Sequence, residues 1–458
     1  MDTARVAALA AEPGPEAARG PDAVVLVLPL ALIAAAVLVV LYLRRHGPHS
    51  PPYRTVPELW DGVPTAPPAR AAQDRATATR TLDARARAWL LRLDDAVLRR
   101  REQVRAARAQ AGDAAVGPHL AAVEDAADEA ARALRLWHRL DDPALRRNEP
   151  ERRKLLQDIT DRCSAALGRL AAVGGSLAAA RGLPADAEGA LAAARERQRA
   201  LGERVRRAEE VCDRLGRDYA PAALAPVRGH PEAAAERSAM ADDLLAAAGR
   251  AVEAGDRRRA ADAIQDAEAA IGQAEVLADG VDRWRDELAR ADTALAEAVR
   301  VTQGDVLAAP GLAPVREDSG RAEAALAALA TGREDLAPGR RDPFGGLRRL
   351  ADGGTPLAHA LAPGRDRGTR NRRARVLLDE ALLTATAELG AARDLVTTHR
   401  GEVGSEARAK LAEAAHRLER ARALAPHDAA TALPFAWHAD ALAREARVLA
   451  SRDAGALA

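Results

Sequence analysis

Leu191–Tyr219 reads LAAARERQRALGERVRRAEEVCDRLGRDY, and the spacing of its apolar residues decides the fold. Leu191, Ala194, Gln198, Leu201, Val205, Ala208, Cys212, Leu215 and Tyr219 follow one another at alternating three- and four-residue steps. On a helix of about 3.6 residues per turn this alternation puts every member on one narrow stripe. Such a stripe must be covered by another helix, so the segment predicts a helix ~40 Å long inside a bundle or coil. Three shorter rows precede it: Leu82, Ala86, Trp89, Leu93 and Ala96; Val116, Leu120, Val123, Ala127, Ala130, Leu134 and Trp137; Leu156, Ile159, Cys163, Leu167 and Leu170. Breakers separate the rows at Gly112, Gly117-Pro118, Asp141-Asp142-Pro143, and Gly182 with Pro184. Short connections of this kind make successive helices antiparallel neighbours.

Composition points the same way. Aromatics are 2% of 458 residues, so Ala, Leu and Val carry most of the 48% hydrophobic content. These residues, with Arg, Glu and Asp, favour helix and leave few β-branched or aromatic side chains for strands. The expected fold class is all-α: one transmembrane helix, then long antiparallel coiled-coil or bundle-like helices, then helical hairpin repeats. Basic and acidic residues number 68 and 67, with both signs interspersed along the helices. That balance argues against a nucleic-acid partner, which calls for a basic excess or stripe.

Beyond Pro226 a turn recurs: EAGDRRRAADAI around Asp256, GRRDPFGGLRRL around Asp342, LAPHDAATALPF around Asp428. The aspartates are 86 residues apart, twice, and each is placed to cap the helix that follows. Pro343 suits the first helical position of the second copy. Small or apolar residues follow at matching offsets: Ala260, Ile264, Ala267; Gly346, Leu350, Gly353; Ala432, Ala436, Ala439. The middle copy is interrupted by Asp352-Gly353-Gly354-Thr355-Pro356 and Pro363-Gly364, and residues 301–320 and 351–370 are expected to be loops.

At the other end, residues 23–43 (AVVLVLPLALIAAAVLVVLYL) carry no charge and match the length needed to cross a hydrocarbon core of ~30 Å. Asp2, Glu12, Glu16 and Asp22 lie before them; Arg44, Arg45 and Arg54 follow. A cleaved signal peptide wants a basic start and a shorter run. By the positive-inside rule the expected topology is a single-pass protein of the cell membrane, N-terminus extracytoplasmic, C-terminal region cytoplasmic. The expected organisation is a short extracytoplasmic piece (1–22), a membrane helix (23–43), a Pro-rich linker (44–80) containing Trp60, a long-helix region (81–225) and a hairpin region (226–458).

The chemistry-bearing residues form no recognisable centre. No phosphate-binding Gly-rich loop and no HExxH is present. Cys163 and Cys212 sit on apolar stripes without zinc or CxxC spacing and read as small buried hydrophobes. Glu413 and His416, three apart, would need further ligands on facing helices to make a bundle metal site. Thr397-Thr398-His399-Arg400 gathers a hydroxyl, an imidazole and a guanidinium at a helix end. Its plainer reading is a terminus: Gly401 and Gly404 end one helix and Ser405 caps the next. Neither catalytic residues nor a cofactor, metal or small-molecule substrate is expected.

Three segments resemble a known family: Thr81–Val97 (TLDARARAWLLRLDDAV), Leu120–Asp142 (LAAVEDAADEAARALRLWHRLDD) and Val396–Leu424 (VTTHRGEVGSEARAKLAEAAHRLERARAL). They are similar to the cytoplasmic helical region of TPM-domain membrane proteins from GC-rich bacteria, over roughly Thr81 to the C-terminus. The resemblance implies a secretion signal, an extracytoplasmic TPM domain and one membrane helix ahead of such a tail. The TPM domain is missing here, so the chain reads as a tail-only variant or as one whose start was placed too late. No catalytic residue carries over.

The expected function is a non-enzymatic, membrane-tethered scaffold or adaptor. Its partners would be the bilayer through 23–43 and a second copy or partner coil on the stripes, with Leu191, Leu201, Val205, Leu215 and the 116–137 row as working surface. The alternative is an envelope signal transducer or a membrane-shaping protein lying on the inner leaflet, which wants a Lys/Arg face opposite bulky apolar residues.

Overall fold

The computed structural model describes residues 68–111, 113–181, 186–308, 316–339 and 341–455. The regular elements among them are helices: α1 (Pro68–Ala111), α2 (Asp113–Arg139), the short α3 (Pro143–Arg147), α4 (Glu149–Arg181), α5 (Ala187–Asp218), the short α6 (Pro221–Leu224), α7 (His230–Glu253), α8 (Arg257–Ala308), α9 (Arg316–Glu334), α10 (Pro343–Leu361), α11 (Arg367–Thr398), α12 (Ser405–Leu424) and α13 (Ala429–Asp453). A single 3-10 turn, Ala362–Gly364, joins α10 to α11. Among the described residues the β pairing is one isolated bridge, Tyr219 to Arg341.

These helices pack as successive three-helix units. Unit I is α1, α2 and α4; unit II is α5, α7 and the first half of α8. Unit III is the second half of α8 with α9 and α10, and unit IV is α11, α12 and α13. The 52-residue α8 runs unbroken from unit II into unit III. A continuous helix has no loop at which the two units could hinge.

The stripe quoted first lies on α5, where Leu191, Ala194, Gln198, Leu201, Val205, Ala208 and Leu215 are buried against α7 and α8. Alanine dominates the cores. Ala234, Ala241, Ala248, Ala260, Ala267 and Ala274 are each 0% exposed, and so small a side chain lets helix axes approach closely. Bulk comes from a few anchors. Trp284 packs its ring 5.1 Å from that of Phe344 and donates Nε1–H to the Ala223 carbonyl.

Asp256, Asp342 and Asp428 each stand at the start of the third helix of a unit. Their carboxylates accept from the backbone N–H of Arg259 (3.0 Å), Gly345 (3.1 Å) and Thr431 (3.1 Å). These bonds satisfy donors that a helix leaves open in its first turn. Asp142 does the same for α3, with Pro143 behind it.

The structure departs from the sequence reading in the expected loops, at one expected break and in the linker. Of residues 351–370, expected as loop, 351–361 continue α10 through Gly353, Gly354 and Pro356, and 367–370 open α11. A Cβ on Gly353 would lie 2.7 Å from the Ala328 Cβ and 2.9 Å from the Ala324 carbonyl oxygen, so glycine here is what lets α10 lie on α9. Residues 301–308 likewise continue α8 and 316–320 begin α9. Gly117 and Pro118 fall inside α2 rather than ending a helix, and Leu120 of that row is 38% exposed. Finally, α1 starts at Pro68, so the end of the expected linker is helical; Pro at a first helical position forfeits no hydrogen bond.

The membrane part of the expected fold is corrected. Among the described residues no helix is long and apolar enough to cross a membrane. Even α8, with length to spare, has at most six residues between successive charges, and each charge at mid-bilayer would cost roughly 3 kcal/mol or more. The single-pass topology and the cell-membrane placement, N-terminus out and C-terminus in, fall with it. Residues 1–22, the stretch 23–43 on which those expectations rested, and Trp60 lie outside the described residues.

Candidate functional site

The charged side chains that reach the interior gather where units meet. The junction of units I and IV is built by the turn between α11 and α12. His399 is the C-cap of α11, its N–H donating to the Leu395 carbonyl. Val403 is buried and pins the turn. Arg400 donates to both oxygens of Glu102 on α1, at 2.9 and 3.2 Å. One turn into α12, Arg408 is only 2% exposed and reaches Asp94 at 2.6 Å and Asp95 at 2.7 Å. Its remaining donors go to the carbonyls of Val403 and Arg400. A planar fork with five N–H groups can serve two carboxylates and a turn together; an ammonium could not. Burial raises the Asp94 carboxyl above the usual carboxylate range even with Arg408 beside it. Ala409 and Ala412 of α12 also enter the core of unit I, so the junction is apolar as well as ionic. Above it lies a cleft of about 420 Å³ floored by Val97, Leu134, Val396 and Leu411.

Units II and IV meet at Asp394. Arg283 of α8 bonds its Oδ2, yet burial still pushes the carboxyl up to about 6. A Cβ on Gly280 would come within 2.9 Å of both that oxygen and the Nδ1 of His230, so glycine here leaves room for both side chains. His230 is buried, its Nδ1 has no partner, and burial with the Arg283 charge pushes it down to about 4. The imidazole is therefore neutral at pH 7.

Units III and IV are joined by Arg348 of α10, which donates to Asp440 (2.7 and 3.0 Å) and Glu388 (3.2 Å). Arg447 closes the network on the other oxygen of Glu388, and Arg444 adds 3.2 Å to Asp440. Units II and III gain a tie at Asp292, which accepts from the Tyr219 hydroxyl (2.6 Å) and from Arg341 (2.9 Å).

Residues singled out from sequence have structural work. The Thr397 and Thr398 hydroxyls donate back to the Arg393 and Asp394 carbonyls, and His399 Nδ1 faces Glu402 at 3.2 Å. Ser405 is the first helical residue, and Gly404 is the N-cap without a side-chain bond, so Ser405 is not the cap expected. The Gly404 N–H itself donates to Asp453 at 2.9 Å. Glu413 pairs with Arg417 at 2.7 Å, and the two line a cleft with His416, His138 and Asp158. Cys163 is fully buried, and burial pushes its thiol up to about 12; that of Cys212 rises to about 11. Among the described residues no group of three or more His, Cys, Asp or Glu could hold a metal ion. Leu191, Leu201, Val205, Leu215, Val116, Val123, Ala130, Leu134 and Trp137 are buried by helices of their own chain. Sequence reasoning passed over Asp94, Asp95, Glu102, Arg348, Glu388 and Asp440. The one signal available was Asp94-Asp95 itself, two acids flanking an apolar stripe directly after Leu93.

Fold and junctions together define a class: an array of three-helix units fastened to one another by buried and half-buried Arg–carboxylate pairs. Among curated proteins the chain is similar to UPF0603 protein MT2410 of Mycobacterium tuberculosis (strain CDC 1551 / Oshkosh) and UPF0603 protein Rv2345 of Mycobacterium tuberculosis (strain ATCC 25618 / H37Rv). Each is 28% identical over 383 residues, a match covering 81% of this chain and 57% of the relative. The chain thus spans less than two thirds of the length of these relatives. No family model matches the chain, and no solved structure matches it.

Proposed function

We propose that the chain is a non-enzymatic scaffold, a stiff helical adaptor that presents its outer faces to another protein or to a second copy. The observation that carries this reading is the use of the interior charges. Arg400, Arg408, Arg348 and Asp394 are all engaged in holding one unit against the next. Buried ion pairs add little net stability over apolar packing and are better suited to fixing a unique arrangement. An arrangement so fixed suits a platform whose binding sites must keep their spacing. The stripes read from sequence are covered within the chain, so partners would engage outer residues. Met240 (52% exposed), Leu307 (74%), Leu326 (52%) and Val448 (44%) are the most exposed large apolar ones among the described residues. The finer reading, that the array is the counterpart of the helical region of TPM-domain proteins, is supported by the resemblance of Thr81–Val97, Leu120–Asp142 and Val396–Leu424.

The test is a photo-crosslinking amino acid placed in the full chain at Met240, Leu307, Leu326 and Val448 in turn, in living cells. The reading expects a discrete adduct from at least one position, competed away by the unlabelled chain. It also expects Arg408→Ala, which loosens the platform, to weaken that adduct. Background labelling alone at all four positions would count against a scaffold.

A further inference from the structure

A cleft of about 320 Å³ opens between α10, α11 and α13, and the III–IV junction forms part of its wall. Its charges can be assigned one by one. Arg348 and Arg444 line it, and both donate to Asp440. Those two guanidiniums face three carboxylates, Asp440, Glu380 and Asp352, so the lining is left one negative charge in excess when all are ionised. Asp352 is exposed and, among the described residues, makes no ion pair or hydrogen bond. Glu380 is the unusual member: the residue is 8% exposed and its buried Oε1 has no hydrogen-bond partner. Arg373 attracts it from a distance without bonding it: its guanidinium lies 3.3 Å from Asp305, and its Nε and Nη1 have no hydrogen-bond partner.

A buried carboxylate oxygen without a donor is costly, and folds keep such groups where something else supplies the bond. The remaining lining says what kind of group that is. Leu347, Ala351, Leu377, Ala381 and Ala441 give an apolar wall, and Trp437 lines the cleft with them. A volume near the lower end of ligand pockets, an aromatic ring and a carboxylate oxygen without a donor suit an ammonium or guanidinium on a small carbon skeleton. A bare metal ion fits poorly, since no third ligand converges. We propose that this cleft binds a small organic cation, with Glu380 as its counter-ion and Trp437 as its aromatic wall. Bound there, it would touch α10, α11 and α13 together and brace the junction of units III and IV. This proposal goes beyond the scaffold reading and does not depend on it.

Calorimetric titration of the full chain with agmatine, spermidine and tetramethylammonium chloride, against sodium chloride at equal ionic strength, tests it. The expected result is saturable binding of at least one probe, weakened about tenfold or more by Glu380→Gln through loss of a charge-assisted bond. Trp437→Phe should weaken it by a smaller factor. Should Glu380→Gln fail to fold, Asp352→Asn and Trp437→Phe carry the same comparison. Absence of saturable heat from all three probes overturns the proposal. So does binding that the substitutions leave unchanged, which would place the cation elsewhere on the surface.

Discussion

Replacing Arg408 by Ala removes the most deeply buried cation of the described structure. The guanidinium leaves behind Asp94 and Asp95, whose side chains are 19% and 24% exposed, and two turn carbonyls, Val403 and Arg400. Breaking one side of a buried pair typically costs about 3–5 kcal/mol, because the partner charge stays in place without compensation. Partial exposure of both aspartates lets water recover part of the loss, so the lower end, about 3 kcal/mol, is expected here. Urea unfolding followed by far-UV circular dichroism measures it on the first transition. Hydrogen exchange should show α12 losing protection before α7 and α8, since unit IV is released from unit I while unit II is untouched. Removing both signs together should cost less. The triple variant Asp94→Asn, Asp95→Asn, Arg408→Met is expected to be more stable than Arg408→Met alone. An Arg408→Ala protein within about 0.5 kcal/mol of the parent, the scale of an ordinary surface change, would refute the reasoning. So would an absence of coupling between Arg408→Ala and Asp94→Asn in a double-mutant cycle.

Gly353→Ala should destabilise by about 1–3 kcal/mol, because its Cβ forces α9 and α10 apart; Gly390→Ala, with nothing within 4 Å, should be neutral or stabilise the chain by up to about 1 kcal/mol in the same melts. Asp342→Ala removes a cap and should cost about 1 kcal/mol in urea unfolding, with Asp342→Asn keeping most of it. Burial pushes Glu380 up from an ordinary 4.5 to about 7, against the pull of Arg373. The folded state thus holds a proton the unfolded chain has lost between those values. Stability from this group is full below pH 4.5 and falls by roughly 3 kcal/mol as pH rises through 7. Glu380→Gln should flatten that decline in unfolding curves taken from pH 5 to 8, and an unchanged slope would show the carboxyl to be solvated.

Several features were legible from local pattern. The α5 stripe was readable because a 3-4 alternation has one structural meaning over a long run, and all but Cys212 of its members are buried. The three capping aspartates were readable because a cap is a contact within three residues. Gly353 and Gly354 misled, since glycine and proline weaken an isolated helix. Whether that weakness ends the helix depends on a neighbour close enough to need the space, and Ala324 and Ala328 are that neighbour. The Thr397–Arg400 group was correctly read as a helix end, but the partner of its arginine, 298 residues away, was beyond any local rule.

Sequence alone, then, determined that the chain is helical, where several helices are capped, and which faces they bury, because periodicity and capping act over a few residues. Only the tertiary structure decided what covers those faces and where the interior charges go. A stripe specifies that it must be covered, not by which helix. An isolated arginine among so many gives no sign that, once folded, it will sit between two aspartates from the far end of the chain.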